Sequence, residues 1–314
     1  MIEHYVTLFD SLFLPQALAL HASLQRHAGA HRLWMLCIDD ESFDLLQRLG
    51  PSDCQPLRLA DLETPALLAV RPTRSRGEYC WTLTPFAPDY VFDADPSVDR
   101  VTYLDADVWF RSDPRPIFAE FEASNAQILI TRHGYAAEYD QSATAGKYCV
   151  QFTTFTRDGG RPARRWWQDR CIDWCFARYE DGKFGDQKYL DDWPERFGSD
   201  VVHVLQRQEF ALAPWNATRF PYSDGIFFHF HGLRIAPSKR IDLSDIYALP
   251  QATVEHVYEP YLVDLRKAIA TLETLGFAAR PQSRSLGLWR RMRRAVAGVY
   301  RARWHVSPLH VRRY

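Results

Sequence analysis

Two aspartates two positions apart close a short apolar run, Tyr103-Leu104-Asp105-Ala106-Asp107-Val108-Trp109-Phe110. At a strand end, side chains at i and i+2 point the same way, so the two carboxylates can share one hard cation. Mg²⁺ or Mn²⁺ takes oxygen ligands and keeps positions open for phosphate. A second acidic constellation, Gly185-Asp186-Gln187-Lys188-Tyr189-Leu190-Asp191-Asp192, follows a turn at Asp181-Gly182-Lys183. Asp186 reads there either as a working carboxylate or as the N-cap of a helix, where the macrodipole favours negative charge. The third is Phe227-Phe228-His229-Phe230-His231-Gly232-Leu233-Arg234. Strand alternation puts His229 and His231 on one side, where two imidazoles can bind metal or line a polar pocket.

The elements that must position these groups alternate along the chain. Residues 3–9 pattern as a strand, and Pro15 through His27 place Leu18, Ala22 and Leu24 at helical spacing. Leu33 to Ile38 reads as a second strand ending in Asp39-Asp40, and Phe43, Leu45, Leu46 and Leu49 follow at helical spacing. Beyond the Pro-rich stretch 85–96, Val101 to Leu104 is a short buried strand that stops at Asp105. This alternation predicts an α/β fold with a Rossmann-like, mostly parallel sheet and helices on both faces, with ligands at the carboxyl ends of the strands. Asp39 and Asp105 both fall at such ends. In the second half, Gln127 to Ile130 and Lys147 to Thr156 pattern as strands, and Arg164 to Tyr179 as a helix with Trp167, Cys171, Trp174 and Cys175 on its buried stripe.

With 314 residues, 46% of them hydrophobic, the chain can bury one large core or two modest ones. It has no run of eighteen apolar residues, and its first residues lack the pattern of a signal peptide, which places it in the cytoplasm. Six cysteines scattered through apolar segments read as reduced, buried thiols. The net charge of −1 conceals an asymmetry. Residues 280–314 hold ten Arg and no Asp, Glu or Lys, leaving 28 basic against 39 acidic residues, a balance of −11, in residues 1–279. Within that tail, Leu288, Trp289, Met292, Val296, Val299 and Tyr300 recur on one helical face while Arg290, Arg291, Arg294 and Arg301 lie largely off it. That is the layout of an interfacial helix on an anionic membrane surface. The acidic remainder argues against nucleic acid as a partner.

Taken in order, the three constellations resemble the glycogenin-like, family 8 retaining glycosyltransferases, which have the GT-A fold, and the resemblance covers residues 1–240. It implies that Val6-Thr7-Leu8 and Phe13-Leu14-Pro15-Gln16-Ala17-Leu18 form the nucleotide end, with Phe13 against the base. Tyr79-Cys80-Trp81-Thr82-Leu83-Thr84 is similar to the family's segment leading to the metal strand. By the same resemblance Asp105-Ala106-Asp107 and His229 hold Mn²⁺ or Mg²⁺, and Asp186 and Gln187 lie beside the donor's anomeric carbon. Asn216, in Ala213-Pro214-Trp215-Asn216, faces the acceptor. Residues 1–110 would then be a nucleotide-binding half and 111–240 a donor-sugar and acceptor half of a catalytic domain spanning 1–279. The implied activity is metal-dependent transfer of a hexose-like sugar from a nucleotide-sugar, UDP by family, to a glycan or lipid-linked acceptor. Two positions depart from the family: Cys149-Val150-Gln151 replaces an Asn-x-Gly at the donor sugar, and the family's diphosphate Lys falls on Ile235, leaving Arg234 to make that contact.

Two other readings compete. Leu104-Asp105-Ala106-Asp107-Val108 also resembles the nucleophile motif of haloacid-dehalogenase phosphohydrolases, with Asp186, Asp191 and Asp192 as their late acidic motif. A catalytically silent nucleotide-sugar binder is the third, motivated by Cys149 and Gln151. An inverting reaction would need a base on the acceptor hydroxyl, for which Asp191 and Asp192 are the candidates.

Overall fold

The computed structural model describes residues 2–237, 240–244 and 246–282, together with the backbone of 311–313. Strands and helices alternate from the start: β1 (Glu3–Phe9), α1 (Leu14–His27), β2 (His31–Cys37), α2 (Asp40–Leu49) and β3 (Cys54–Arg58). The punctuation of α2 is written in its ends. Asp39 accepts the Ser42 N–H as N-cap, Asp40 and Glu41 occupy the first turn, and Gly50 closes the helix at φ 55°. Next come α3 (Pro65–Val70), α4 (Arg76–Leu83) and α5 (Ala87–Ala94), then β4 (Arg100–Leu104). The Pro-rich stretch is therefore largely helical; Pro88 sits in the first turn of α5, where its missing N–H costs nothing.

The second half runs β5 (Val108–Phe110), α6 (Arg115–Ser124), β6 (Ile128–Arg132), α7 (Ser142–Ala145), β7 (Tyr148–Thr156), α8 (Arg161–Asp173), α9 (Trp193–Phe197) and β8 (Val202–Val204). Short strands β9 (Ala211–Leu212), β10 (Phe227–His229), β11 (Arg234–Ala236) and β12 (Arg240–Asp242) precede α10 (Gln251–Thr253), α11 (Glu259–Thr274) and β13 (Val311–Arg313).

Seven strands form the central sheet in the order β3-β2-β1-β4-β7-β6-β8. It is mostly parallel, with β7 running antiparallel to both β4 and β6. Because strand neighbours point to opposite faces, the sheet separates two cores. Tyr5, Phe9, Leu33 and Met35 pack with the α1 and α6 side, while Val6, Leu8, Trp34 and Leu36 pack with Leu83, Val91 and Phe92 on the α4 and α5 side. β1 has β2 on one side and β4 on the other. The crevice between the carboxyl ends of β1 and β4 is thus a topological switch point, where open α/β sheets bind ligands.

One predicted element ends early. The helix expected to reach Tyr179 stops at Asp173, and Trp174 is extended at φ −156° and ψ 121°. The Tyr189 hydroxyl takes the Trp174 carbonyl and the Trp174 indole N–H reaches Glu180, so tertiary bonds replace the next helical turn. Cys175 is nonetheless buried beside Cys171 in the core under the sheet.

Among the described residues no helix is long and apolar enough to cross a membrane. Most of the Arg-rich tail, including every residue of the expected interfacial helix, lies outside the described residues. At its two described ends it meets the body: Arg280 bonds to Ser11 and Glu41, and β13 pairs antiparallel with β12.

Candidate active site

β4 ends at Leu104, and the backbone turns through Asp105-Ala106-Asp107 into β5. The Asp105 N–H donates to the Gln151 carbonyl on β7, which fixes the turn against the sheet. β5 belongs to a small second sheet, where Val108 lies opposite His229 and the Phe230 N–H donates to the Asp107 carbonyl at 2.8 Å. This pairing carries His229 across 122 residues to the acid pair. Its Nε2 stands 3.1 Å from Asp107 Oδ1 and 3.6 Å from Asp105 Oδ2. All three side chains offer ligand atoms within 4.8 Å of one another.

The residues fit a divalent cation. His229 Nδ1 lies 2.7 Å from Gln151 Oε1. An N–H at Nδ1 donating to that amide oxygen leaves the Nε2 lone pair facing the carboxylates, the arrangement by which an outer partner orients a metal-binding imidazole. Gln151 thus has a task of its own in orienting His229. Burial by itself favours the neutral imidazole, but Asp107 and Asp105 hold His229 well above its ordinary value, so without a metal Nε2 carries a proton that a cation would displace. Burial pushes the Asp107 carboxyl up, yet His229 and Arg234 outweigh it and hold it at about 2. Burial raises Asp105 above the usual carboxylate range, and the Asp107 charge adds to this against the pull of His229.

Asp186 lies on the same cavity and is only 3% exposed. Its backbone is helical, but its side chain makes no cap bond to the turn that follows, so the N-cap reading fails. Its Oδ2 is buried without a hydrogen-bond partner among the described residues. Burial, then the Asp105 charge, push its pKa up to about 7. Gly185, at φ 53°, sets Asp186 there; a Cβ at 185 would also meet the Trp81 ring at 3.2 Å. Gln187 also lines the cavity, its amide donating to the Ala145 carbonyl at 2.8 Å.

The cavity has a volume of about 600 Å³ and runs along the carboxyl edge of the sheet. Leu8, Phe13, Ala106 and Arg234 line it. The Arg234 guanidinium lies over the Phe13 ring, 5.5 Å from its centre. Thr7 does not line the cavity: it is fully buried within the sheet. Asn216 is also turned away from the expected acceptor contact. Its Oδ1 accepts the Ala213 N–H and its Nδ2 donates to the carbonyls of His133 and Ala211, each within 3.0 Å. What it positions is Trp215, whose ring edge meets both His229 and His231 in the cavity wall.

Asp191 and Asp192 are likewise structural. Asp191 holds the Lys147 N–H and the Lys188 ammonium, and Asp192 pairs with Arg196. Neither lines the cavity, which removes the late acidic pair of the phosphohydrolase reading and both candidates for an inverting base. Several lining residues carried no signal in the sequence. Arg76, which bridges Asp10 and Asp39, stands within a capping box that reads as helix punctuation. His133 and Tyr135, stacked with ring centres 4.6 Å apart, stand alone in a polar loop.

Comparison with known proteins follows the same line. No family model matches the chain. Over 309 residues, covering 90% of this chain and all of the relative, it is 31% identical to the uncharacterized protein YfnF of Bacillus subtilis (strain 168). The chain belongs to the YfnF family. A second relative from the same organism, the uncharacterized protein YfnD, is 27% identical over 86% of this chain and 91% of its own length. Among solved structures, the galactosyltransferase LgtC in complex with donor and acceptor sugar analogues superposes with a TM-score of 0.53 at 14% identity, over 84% of this chain and 95% of that one. The glycosyltransferase GlyE of Streptococcus pneumoniae TIGR4 gives 0.51 at 16% identity, over 90% and 66%. This YfnF-family chain therefore has the GT-A glycosyltransferase fold.

Proposed function

We propose that the chain is a metal-dependent glycosyltransferase of the glycogenin-like, family 8 type. It moves a sugar from a nucleotide diphosphate, UDP by that resemblance, to a glycan or lipid-linked acceptor with retention of configuration. One observation carries the reading: Asp105, Asp107 and His229 bring their ligand atoms together at the switch point of a GT-A sheet, in a cavity that also holds Asp186.

Asp105, Asp107 and His229 would hold Mn²⁺ or Mg²⁺, which when bound supplies Lewis-acid stabilisation of a departing diphosphate. Arg234, whose charge acts on Asp107, adds a fixed cation for the phosphate oxygens. Phe13 offers an apolar face to the base. Asp186 meets the positive charge that develops at the anomeric carbon, as electrostatic stabiliser or nucleophile, with Gln187 beside it. Trp215 and His231 wall the acceptor side. The Arg-rich tail would bring this site to an anionic membrane that carries a lipid-linked acceptor.

Thermal-shift measurements over a panel of nucleotide-sugars, with Mn²⁺ and with EDTA, test the proposal. A donor at 100 times its Kd stabilises the native state by about 2.7 kcal/mol, enough to raise the melting point by a few degrees. A Mn²⁺-dependent shift with UDP-sugars is expected. Turnover of p-nitrophenyl phosphate with no response to any nucleotide-sugar would overturn it. Donor binding without donor hydrolysis or transfer would leave a silent binder.

A further inference from the structure

At the opposite, amino-terminal edge of the sheet lies a second group of metal-type side chains that the proposed reaction does not use. His21 comes from α1, His31 opens β2, and Asp53 and Cys54 form the entry to β3. His21, Asp53 and Cys54 offer ligand atoms within 4.8 Å of one another. Asp53 stands between two imidazoles: Oδ1 is 2.8 Å from His21 Nε2 and Oδ2 is 3.4 Å from His31 Nε2.

His31 supplies the independent observation. Its side chain is 4% exposed, and its Nε2 is buried without a hydrogen-bond partner among the described residues. Its Nδ1 lies 2.9 Å from the Gly29 carbonyl, which can only accept. Nδ1 therefore carries the ring proton in the neutral imidazole, and the Nε2 lone pair lies toward Asp53 with no donor to bond it. A buried lone pair facing a carboxylate is unfavourable by itself, since both groups are acceptors. A proton on Nε2 or a metal cation between them resolves the conflict, and the His21 imidazole and Cys54 thiol gathered at the same carboxylate favour the metal.

We infer that His21, His31, Asp53 and Cys54 form a structural zinc site that ties α1 to the starts of β2 and β3. Two imidazoles, one thiolate and one carboxylate are a donor set suited to Zn²⁺, and a closed set of four protein ligands is the structural rather than the catalytic pattern. Ligand bonds of 2.0–2.3 Å in a tetrahedron hold ligand atoms about 3.3–3.7 Å apart. His21 Nε2 and Asp53 Oδ1 open by about half an ångström, while His31, which faces the other carboxylate oxygen and stands outside the group of three, closes toward the ion to complete the set. Binding releases the Cys54 thiol proton to solvent and shifts the single ring proton of His21 from Nε2 to Nδ1, with no change of oxidation state. The oxygen-rich Asp105 and Asp107 site selects a harder ion, so the two sites divide between metals.

Cobalt(II), a spectroscopic stand-in for zinc, provides the test on the EDTA-treated full-length protein. One equivalent is expected to give the visible bands of tetrahedral cobalt together with a thiolate-to-cobalt charge-transfer band in the near ultraviolet, and Zn²⁺ is expected to abolish both. Cys54→Ser should lose the charge-transfer band, whereas Asp105→Ala should keep it. That contrast also separates this site from the proposed catalytic one and from Cys149 near His229. His21→Gln keeps most of the volume and a bond to Asp53, and guards against a Cys54 variant that fails to fold; it should weaken cobalt binding at least tenfold while the metal-free melting point stays within a few degrees. No thiolate band in the wild-type protein, or a band that survives in Cys54→Ser or at full affinity in His21→Gln, would overturn the assignment.

Discussion

Replacing Asp186 by Asn should make the metal-free protein more stable above neutral pH while removing its activity. Folding takes this carboxyl from an ordinary value of 3.8 up to about 7, because the carboxyl is buried and the Asp105 charge adds to the rise. Between those two values the native state keeps a proton that the unfolded chain has released, so stability falls as pH rises. The contribution is fully present below about 3.8 and is lost as pH passes 7. About three pKa units at 1.36 kcal/mol each set an upper limit of ~4 kcal/mol. Asn cannot ionise, and its amide also lacks a ready partner at the position of Oδ2, which costs about 1 kcal/mol. The stability difference, variant minus wild type, should therefore grow by about 2 kcal/mol between pH 5 and pH 8, whatever its starting value. Urea midpoints of both proteins in EDTA at these two pH values measure it, since groups unaffected by the substitution cancel. Mn²⁺ should shrink the difference by offsetting the Asp105 charge. Turnover of Asp186→Asn should fall at least a hundredfold, as with loss of one electrostatic group in an active site. A stability difference that does not change from pH 5 to pH 8 would refute the reasoning.

Asp105→Ala and Asp107→Ala should fold but lose Mn²⁺-dependent donor binding and hydrolysis; full donor hydrolysis by the wild-type enzyme in excess EDTA would remove the metal from the proposal. Gln151→Leu withdraws the acceptor that orients His229, and Mn²⁺ affinity, read by electron paramagnetic resonance titration, should drop about 10–100-fold. Arg164, 1% exposed, bonds to Asp89 and to the carbonyls of Thr156 and Arg157; Arg164→Leu should cost about 3–5 kcal/mol in urea unfolding, because Asp89 and both carbonyls lose a charged partner. For the tail, the combined change of Arg290, Arg291, Arg294 and Arg301 to Gln should abolish co-sedimentation with anionic liposomes at low salt, each basic group contributing about 1 kcal/mol there. Equal co-sedimentation by both proteins would rule the membrane role out.

Much of this molecule is written locally. Alternation from Glu3 to Leu49 reports strand, helix, strand and helix because a strand buries every second side chain and a helix every third or fourth. The run Val101 to Leu104 ending at Asp105 reports a buried strand that stops at charge, and hence a ligand at the carboxyl edge. Asp105-Ala106-Asp107 needs only a backbone turn to bring its acids together, so sequence alone could pair them. Residue type and spacing could not supply relations set by contacts distant along the chain, and His229 joined the acid pair in the sequence only through family resemblance. The β5 and β10 pairing delivers His229 to Asp107, and the same Asp-x-Asp without it would be an ordinary acidic turn. Asn216 and Asp191 look as functional in sequence as Asp186 does. Only the fold shows that neighbouring carbonyls, an N–H and a lysine satisfy the first two, whereas Asp186 Oδ2 is left buried without a bond. Trp174 has the spacing of a helix, but Tyr189 and Glu180 draw it into an extended turn. His21, His31 and Asp53 have no common spacing and meet because three elements begin or end at one edge of the sheet. Residue type and period fix which chemistry is available; the partner that completes a charge or a lone pair comes from elsewhere in the chain, and its arrival is a property of packing.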